Sequence, residues 1–259
     1  AIYHNIPTAF FSLEMADIEL ADRLIGMESG LSSGKRKGKD KMEDYEWELL
    51  EKALARAAKA PLYIDETPGL TITEFMSKIK RMVQERGIKI AFVDYLQLMH
   101  ASASLSQYRA LEIGEISRQL KETAKELHIP IIALAQLNRN LMARQGSSNG
   151  RPVLSDLKDS GSIEQDADMV LFIHRPALLG LSEMGDDQAE LLIAKNRSGE
   201  MGIIPLRFNG DYVRFTEDRM SLADYAAIKS VESKMNTTDI TPMPTEGYSP
   251  FDHFESEQP

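Results

Sequence analysis

Ile90-Ala91-Phe92-Val93-Asp94 runs an apolar stretch straight into a carboxylate. Continuous hydrophobicity over so short a segment predicts a strand buried on both faces, as in a parallel sheet. An ionised Asp is costly inside such a core, so Asp94 is placed at the strand's C-terminal end. Open α/β sheets bind ligands at that edge. In nucleotide-hydrolysing folds such a carboxylate holds the Mg²⁺ shell of a triphosphate. Many buried strands end in Asp, so the segment gains weight from its company.

Phe10-Phe11-Ser12-Leu13-Glu14-Met15 also ends a strand in a carboxylate. Glu14 could polarise water for attack on a γ-phosphate. From this segment alone a solvated Glu at a helix start, favoured by the dipole, is the better reading. Ile131 to Arg139 ends a strand in Gln136, whose amide can bond a phosphate oxygen and a loop donor, although an ordinary strand-end Gln reads the same way. Lys195 and Arg197 lie two apart at the end of an apolar strand and so point to one face. Arg197 beside a phosphoryl group would act as an arginine finger; a basic surface strand end is equally compatible.

Arg139, Arg144, Arg151 and Lys158 surround a Gly/Ser-rich segment with a single acid, Asp156, among them, and such local positive charge can bind phosphate. Ser155 to Asp168 follows, where small residues and Gly161 permit close approach to a phosphodiester. The acids there argue against a simple electrostatic patch. Asp166 and Asp168 lack further ligand spacing and are not read as a metal site. A phosphate-binding G-x-x-x-x-G-K-[ST] loop is absent: Gly34-Lys35 is followed by Arg36, and Ser29 stands where the first Gly is needed.

The elements that must position these groups alternate. A strand is predicted near Thr8–Ser12, a helix from about Ala16, a loop over 30–41, a helix over 43–59 and a short strand over 61–65. Thr71-Ile72-Thr73-Glu74 is a capping box opening a helix that leads through Gly87 into the Asp94 strand. Ile113, Ile116, Leu120, Ala124 and Leu127 recur with helical period within 106–127, and a buried strand follows at 130–135. Strands at 169–173, 190–194, 203–208 and 212–215 finish the sheet, the last three antiparallel because Gly199 and Asn209-Gly210 offer hairpin turns. The alternation predicts an α/β fold with a mostly parallel sheet flanked by helices and antiparallel strands toward the C-terminus.

Hydrophobic residues are 42% and charged ones 27%, values of ordinary globular proteins, and the length suits one large α/β domain or two small ones. There is no cysteine, which excludes disulfides and thiolate metal sites. With no membrane-length apolar run and no secretory pattern, a cytoplasmic protein without membrane partners is expected. The net charge of −10 is unequally spread: nine acids face three bases from Glu217 to Pro259. This acidic tail, Ser/Thr/Pro/Glu-rich after about Ala227, is expected to be largely disordered.

Taken together, FFSLEM, IAFVDYLQLM, IIALAQLNR, SDLKDSGSIEQDAD and AKNRSG, in this order, resemble the C-terminal RecA-like motor domain of DnaB-type replicative DNA helicases over residues 1–216. The resemblance implies a RecA-like core, ATP and Mg²⁺ as cofactors, and a homo-hexamer on single-stranded DNA, with primase and a helicase loader as partners. Glu14 would activate water, Asp94 lie on the Mg²⁺ side and Gln136 sense the γ-phosphate. Lys195 and Arg197 would reach the neighbouring subunit's nucleotide. Lys158, Asp159 and Gly161 would lie on the channel loop following the DNA backbone, where the family commonly carries Arg-Glu in place of Lys158-Asp159. The family's phosphate-binding loop would fall before Ala1, so this chain alone is expected to bind ATP poorly and not to unwind DNA. A RecA/RadA-like recombinase and a non-catalytic RecA-fold interaction module are the alternatives.

Overall fold

The structure is a computed structural model that describes residues 1–101, 108–138, 150–157, 161–179 and 186–218. They divide into two compact units, one formed by residues 1–101, 108–138, 153–157, 161–167 and 209–214, the other by residues 150–152, 168–179, 186–208 and 215–218. Arg139, Arg144, Lys158, Asp159 and the tail beyond Asp218 lie outside the described residues.

The first unit opens with β1 (Thr8–Ser12), α1 (Asp17–Ser29), α2 (Ser33–Arg36) and α3 (Asp44–Lys59), then β2 (Leu62–Asp65), α4 (Ile72–Arg86), β3 (Ile90–Asp94), α5 (Arg109–Leu127), β4 (Ile131–Ala133) and the short α6 (Gly161–Asp166). The expected loop over 30–41 contains one helical turn, α2, started by Ser32, whose side chain accepts from the Lys35 N–H. The capping box at α4 forms as read: Glu74 N–H donates to Thr71 Oγ1 at 3.2 Å, and Thr71 N–H donates to Glu74 Oε2 at 2.9 Å. Gly87 ends α4 at φ 65°, a left-handed position that suits glycine.

The strands form a parallel sheet of order β2-β1-β3-β4, with Ser12 opposite Asp94 and Val93 opposite Ala133. Ala9, Phe11, Ala91 and Val93 share one core with Phe75 and Ile79 of α4 and Ile113 and Ile116 of α5. The expectation of a β3 buried on both faces is corrected. Its burial alternates, because the core helices cover one face, while Phe10 and Phe92 stack at 6.0 Å on the other and remain part-exposed. β4 is also less buried than expected, with Ile132 44% exposed, because among the described residues it lies at the sheet edge beside β3 alone.

The second unit is a separate antiparallel sheet of order β5-β6-β7-β8, from β5 (Met169–His174), β6 (Gln188–Asn196), β7 (Gly202–Asn209) and β8 (Arg214–Glu217). The turns fall where read, after β6 around Gly199 and after β7 at Asn209-Gly210. The expected single sheet gives way to two, because nine-residue β6 pairs with β5 along one edge and β7 along the other, both antiparallel. Val170, Phe172, Leu192, Ile193 and Ile203 are buried, while Met169, Leu171 and Ile173 face outward. Among the described residues no helix is long and apolar enough to cross a membrane.

Candidate functional site

The first unit's parallel strands all deliver their carboxyl ends to one edge. At the exit of β1 a tight turn lifts Glu14 away from the sheet: Ser12 Oγ donates to Met15 O at 2.6 Å and accepts from Met15 N–H at 3.2 Å. Leu13 N–H donates to Asp94 O at 2.8 Å, so the β1 and β3 exits are bound to each other. Asp17 N–H, at the start of α1, donates to Glu66 Oε2 at 2.8 Å, which holds that helix beside the end of β2.

Two strand-end carboxylates at this edge behave oppositely. Burial would raise the Asp65 carboxyl, but Lys78, 2.6 Å away, and hydrogen bonds from Thr67 outweigh it and hold the group below the usual carboxylate range. Burial pushes the Asp94 carboxyl above its ordinary value, the Glu14 charge pushes the same way, and Arg23 opposes them weakly. Asp65 is thus satisfied by a structural partner, whereas Asp94 faces a second negative charge. Among the described residues neither carboxylate is held in an ion pair, and a cation or a proton would relieve their repulsion.

Gln136, exposed, leaves β4 at the same edge. Its N–H donates to Gln97 Oε1 at 3.1 Å and its carbonyl accepts from Gln97 Nε2 at 3.2 Å. Sequence reading passed over Gln97; its signal was a single amide inside the apolar Leu96-Gln97-Leu98 run. Arg109 and buried Glu112 were also missed. Arg109 bonds Gln97 O, Met99 O and Glu112, fixing the turn after Asp94 to α5.

Gly161 is exposed at the start of α6, and a Cβ there would meet nothing within 4 Å among the described residues. Arg151, expected to be a phosphate contact, lies in the second unit in a two-pronged bridge to the buried carboxylate of Glu190, at 2.7 and 2.8 Å. That bridge gives Arg151 a structural task.

Lys195 and Arg197 lie in the second unit. Lys195 pairs with Val170 across β5 and β6. Arg197, just past β6, donates its N–H to Asp168 O at 2.9 Å and Nη1 to Asp168 Oδ1 at 3.4 Å. The Arg197 and Asp168 side chains are 49% and 63% exposed, so this ion pair is a weak surface one. Asn196 shapes the turn by accepting from Ser198 N–H at 3.2 Å.

Comparison with known proteins gives this geometry a lineage. Residues 1–217 match the family model of the DnaB-like helicase C-terminal domain. The chain is 41% identical over 218 residues to the replicative DNA helicase DnaB of Leifsonia xyli, a match covering 84% of this chain and 46% of that protein. It spans about half the length of the curated relatives it matches. One solved structure, described as an ATPase domain, superposes with a TM-score of 0.76 at 32% identity, covering 83% of this chain and 75% of that one. A DnaB-like replicative helicase described with its primase interactions gives 0.75 at 31% identity, covering 82% and 50%. The strand-edge carboxylates and amide described above are therefore those of a member of the DnaB-like helicase C-terminal domain family.

Proposed function

We propose that this chain is the ATP-hydrolysing motor portion of a replicative DNA helicase, working as a hexameric ring on single-stranded DNA. One observation carries the reading: Asp94 and Glu14 leave paired strands at one edge, and the Asp94 carboxyl is raised by burial and by Glu14. A purely structural carboxylate would resemble Asp65, satisfied by its own lysine.

Mg²⁺ takes oxygen ligands and is commonly held by one or two carboxylates together with substrate phosphates and water. Asp94 suits that task, and no group of three or more His, Cys, Asp or Glu among the described residues could hold a metal ion by itself. When bound, the ion neutralises charge on the triphosphate. Glu14, on the exposed turn, accepts a proton from water as the water oxygen bonds to the γ-phosphorus and the bond to the leaving β-phosphate oxygen breaks. Gln136 bonds the γ-phosphate and registers its loss. Lys195 and Arg197 reach the nucleotide of an adjacent subunit, where Arg197 exchanges Asp168 for phosphate oxygens. Lys158, Asp159 and Gly161 follow the DNA backbone. Primase and a helicase loader are the partners this reading implies; a structure of a related helicase that concerns its interactions with primase supports the first.

The test is ATP hydrolysis by the complete gene product with and without single-stranded DNA. Stimulated turnover that disappears in Glu14→Ala is the expected result. A folded complete protein that binds DNA but never hydrolyses ATP would sink the motor reading and leave an interaction module.

A further inference from the structure

The β3–β4 ladder does not stop at its last register pair, Val93 with Ala133. Leu134 N–H donates to Val93 O at 2.9 Å, and Leu96 N–H donates to Leu134 O at 2.9 Å. One step further on, the partner strand is replaced by a side chain. The Gln97 amide takes both main-chain groups of Gln136, as a paired strand residue would.

The two sides of this clamp are themselves fixed. Gln97 O accepts from Arg109, and the Glu112 partner of Arg109 is 3% exposed and accepts from Ala101 N–H at 3.0 Å. Beyond Gln136, Leu137 bridges Leu157, and Asn138 N–H donates to Asp156 O at 2.8 Å. Asp156, 4% exposed, accepts in turn from Val153 N–H at 2.8 Å. Gln136 is thus the joint between two braced segments, and the chain leaves it directly for the basic segment.

We propose that Gln97 is a positioning residue: its amide holds the Gln136 backbone at the height of the Asp94 strand exit, so that the Gln136 side chain meets the γ-phosphate in register with Asp94. This rests on reading Gln136 as the γ-phosphate contact. Gln97 touches no substrate and acts only through Gln136. Losing it lets the joint drift, and small misplacements of a positioning group carry large rate penalties.

The experiment is a double-mutant cycle in the complete protein: turnover with single-stranded DNA, kcat and KM for ATP, for Gln97→Ala, Gln136→Ala and the pair. Gln97→Ala should lower kcat about 10-fold while KM for ATP stays within about 2-fold. The double variant should be no slower than Gln136→Ala alone, because a residue acting only through Gln136 has nothing left to do. Gln97→Glu, which keeps the acceptor and loses the donor, should fall between wild type and Gln97→Ala. Losses that multiply in the double variant would show independent, merely structural action and overturn the proposal. So would wild-type turnover in Gln97→Ala beside an inactive Gln136→Ala, a result that leaves the γ-phosphate role of Gln136 intact. Wild-type turnover in Gln136→Ala would remove both readings. Should Gln97→Ala not fold, the same cycle run with Gln97→Glu decides between multiplied and saturated losses.

Discussion

The parallel and antiparallel sheets of this chain position charge by different means. In the first unit Glu14, Asp94 and Gln136 come from distant stretches of sequence and meet at one edge because β1, β3 and β4 run in register. In the second, Lys195 and Arg197 come from one local run at the end of β6. The first edge gathers like charges and holds Asp94 in an unfavourable state. The second presents an arginine whose partner, Asp168, is itself exposed, so exchanging that partner for a phosphate is inexpensive. On the proposed function, the parallel edge would receive a nucleotide with its cation, and the β6 end would supply a cation to a neighbouring nucleotide.

Removing the exchanged cation is the hardest test of this contrast. Arg197→Ala should lower DNA-stimulated turnover by about 10³-fold. It should leave nucleotide affinity of the subunit's own site within about 2-fold, since the role proposed for it is in trans. The melting temperature should hardly move, because an exposed ion pair contributes at most about 1 kcal/mol. Arg197→Lys should rescue poorly, having lost the planar fork. A variant that keeps turnover but loses its own-site affinity would invert the comparison.

Glu14→Gln should cost about 10²-fold in turnover with nucleotide binding retained, because the amide keeps the shape and cannot take the proton. Single-turnover measurements with saturating ATP would separate this from a binding defect. Unchanged single-turnover hydrolysis would remove Glu14 from the chemistry and return it to the solvated helix-start residue that its segment alone suggests.

A third variant sets the stability of the two regions against each other. Burial would raise the Glu112 carboxyl, but hydrogen bonds from Ala101 N–H and Arg109 outweigh it and hold it below the usual carboxylate range. Its folded pKa lies below the unfolded one, so its contribution is present above the unfolded pKa and is lost as pH falls through the folded pKa. Glu112→Gln should therefore destabilise the protein by about 2 kcal/mol at pH 7, with the deficit fading in acid. Asp168→Asn, in the exposed pair of the second unit, should change stability by less than about 0.5 kcal/mol. Equal effects in urea unfolding would erase the distinction.

Much of this was legible in the chain. The strand-to-carboxylate run at Asp94, the capping box at Thr71 and the turns at Gly199 and Asn209 are local signals, and local signals survive without tertiary knowledge. Pairing partners were not legible. β5 reads as one more strand of the parallel sheet, because burial pattern alone does not say which edge of which neighbour a strand will take. For the same reason the partner of Arg151 was not legible: nothing near it in sequence announces Glu190, thirty-nine residues away. Gln97 is hidden differently, since its two bonds go to main chain and leave no charge pattern to read.

The smallest expected effect tests the premise of the whole contrast, that Asp94 is unsatisfied. Its folded pKa lies above the unfolded one, so the folded chain holds the proton more tightly than the unfolded chain. Wild-type stability therefore falls as pH rises from the unfolded pKa through the folded one, and stays lowered above both. Asp94→Asn cannot ionise. Without nucleotide it should melt slightly above wild type at pH 7, and the gain should shrink as pH falls through the folded pKa and disappear below the unfolded one. In a Glu14→Gln background part of the repulsion is already gone, so the gain from Asp94→Asn should be smaller still. Thermal midpoints of the four proteins across that pH range measure this directly. If Asp94→Asn instead melts lower at neutral pH, with the deficit closing in acid, Asp94 is a satisfied structural carboxylate like Asp65, and the parallel edge has no stored demand for a cation.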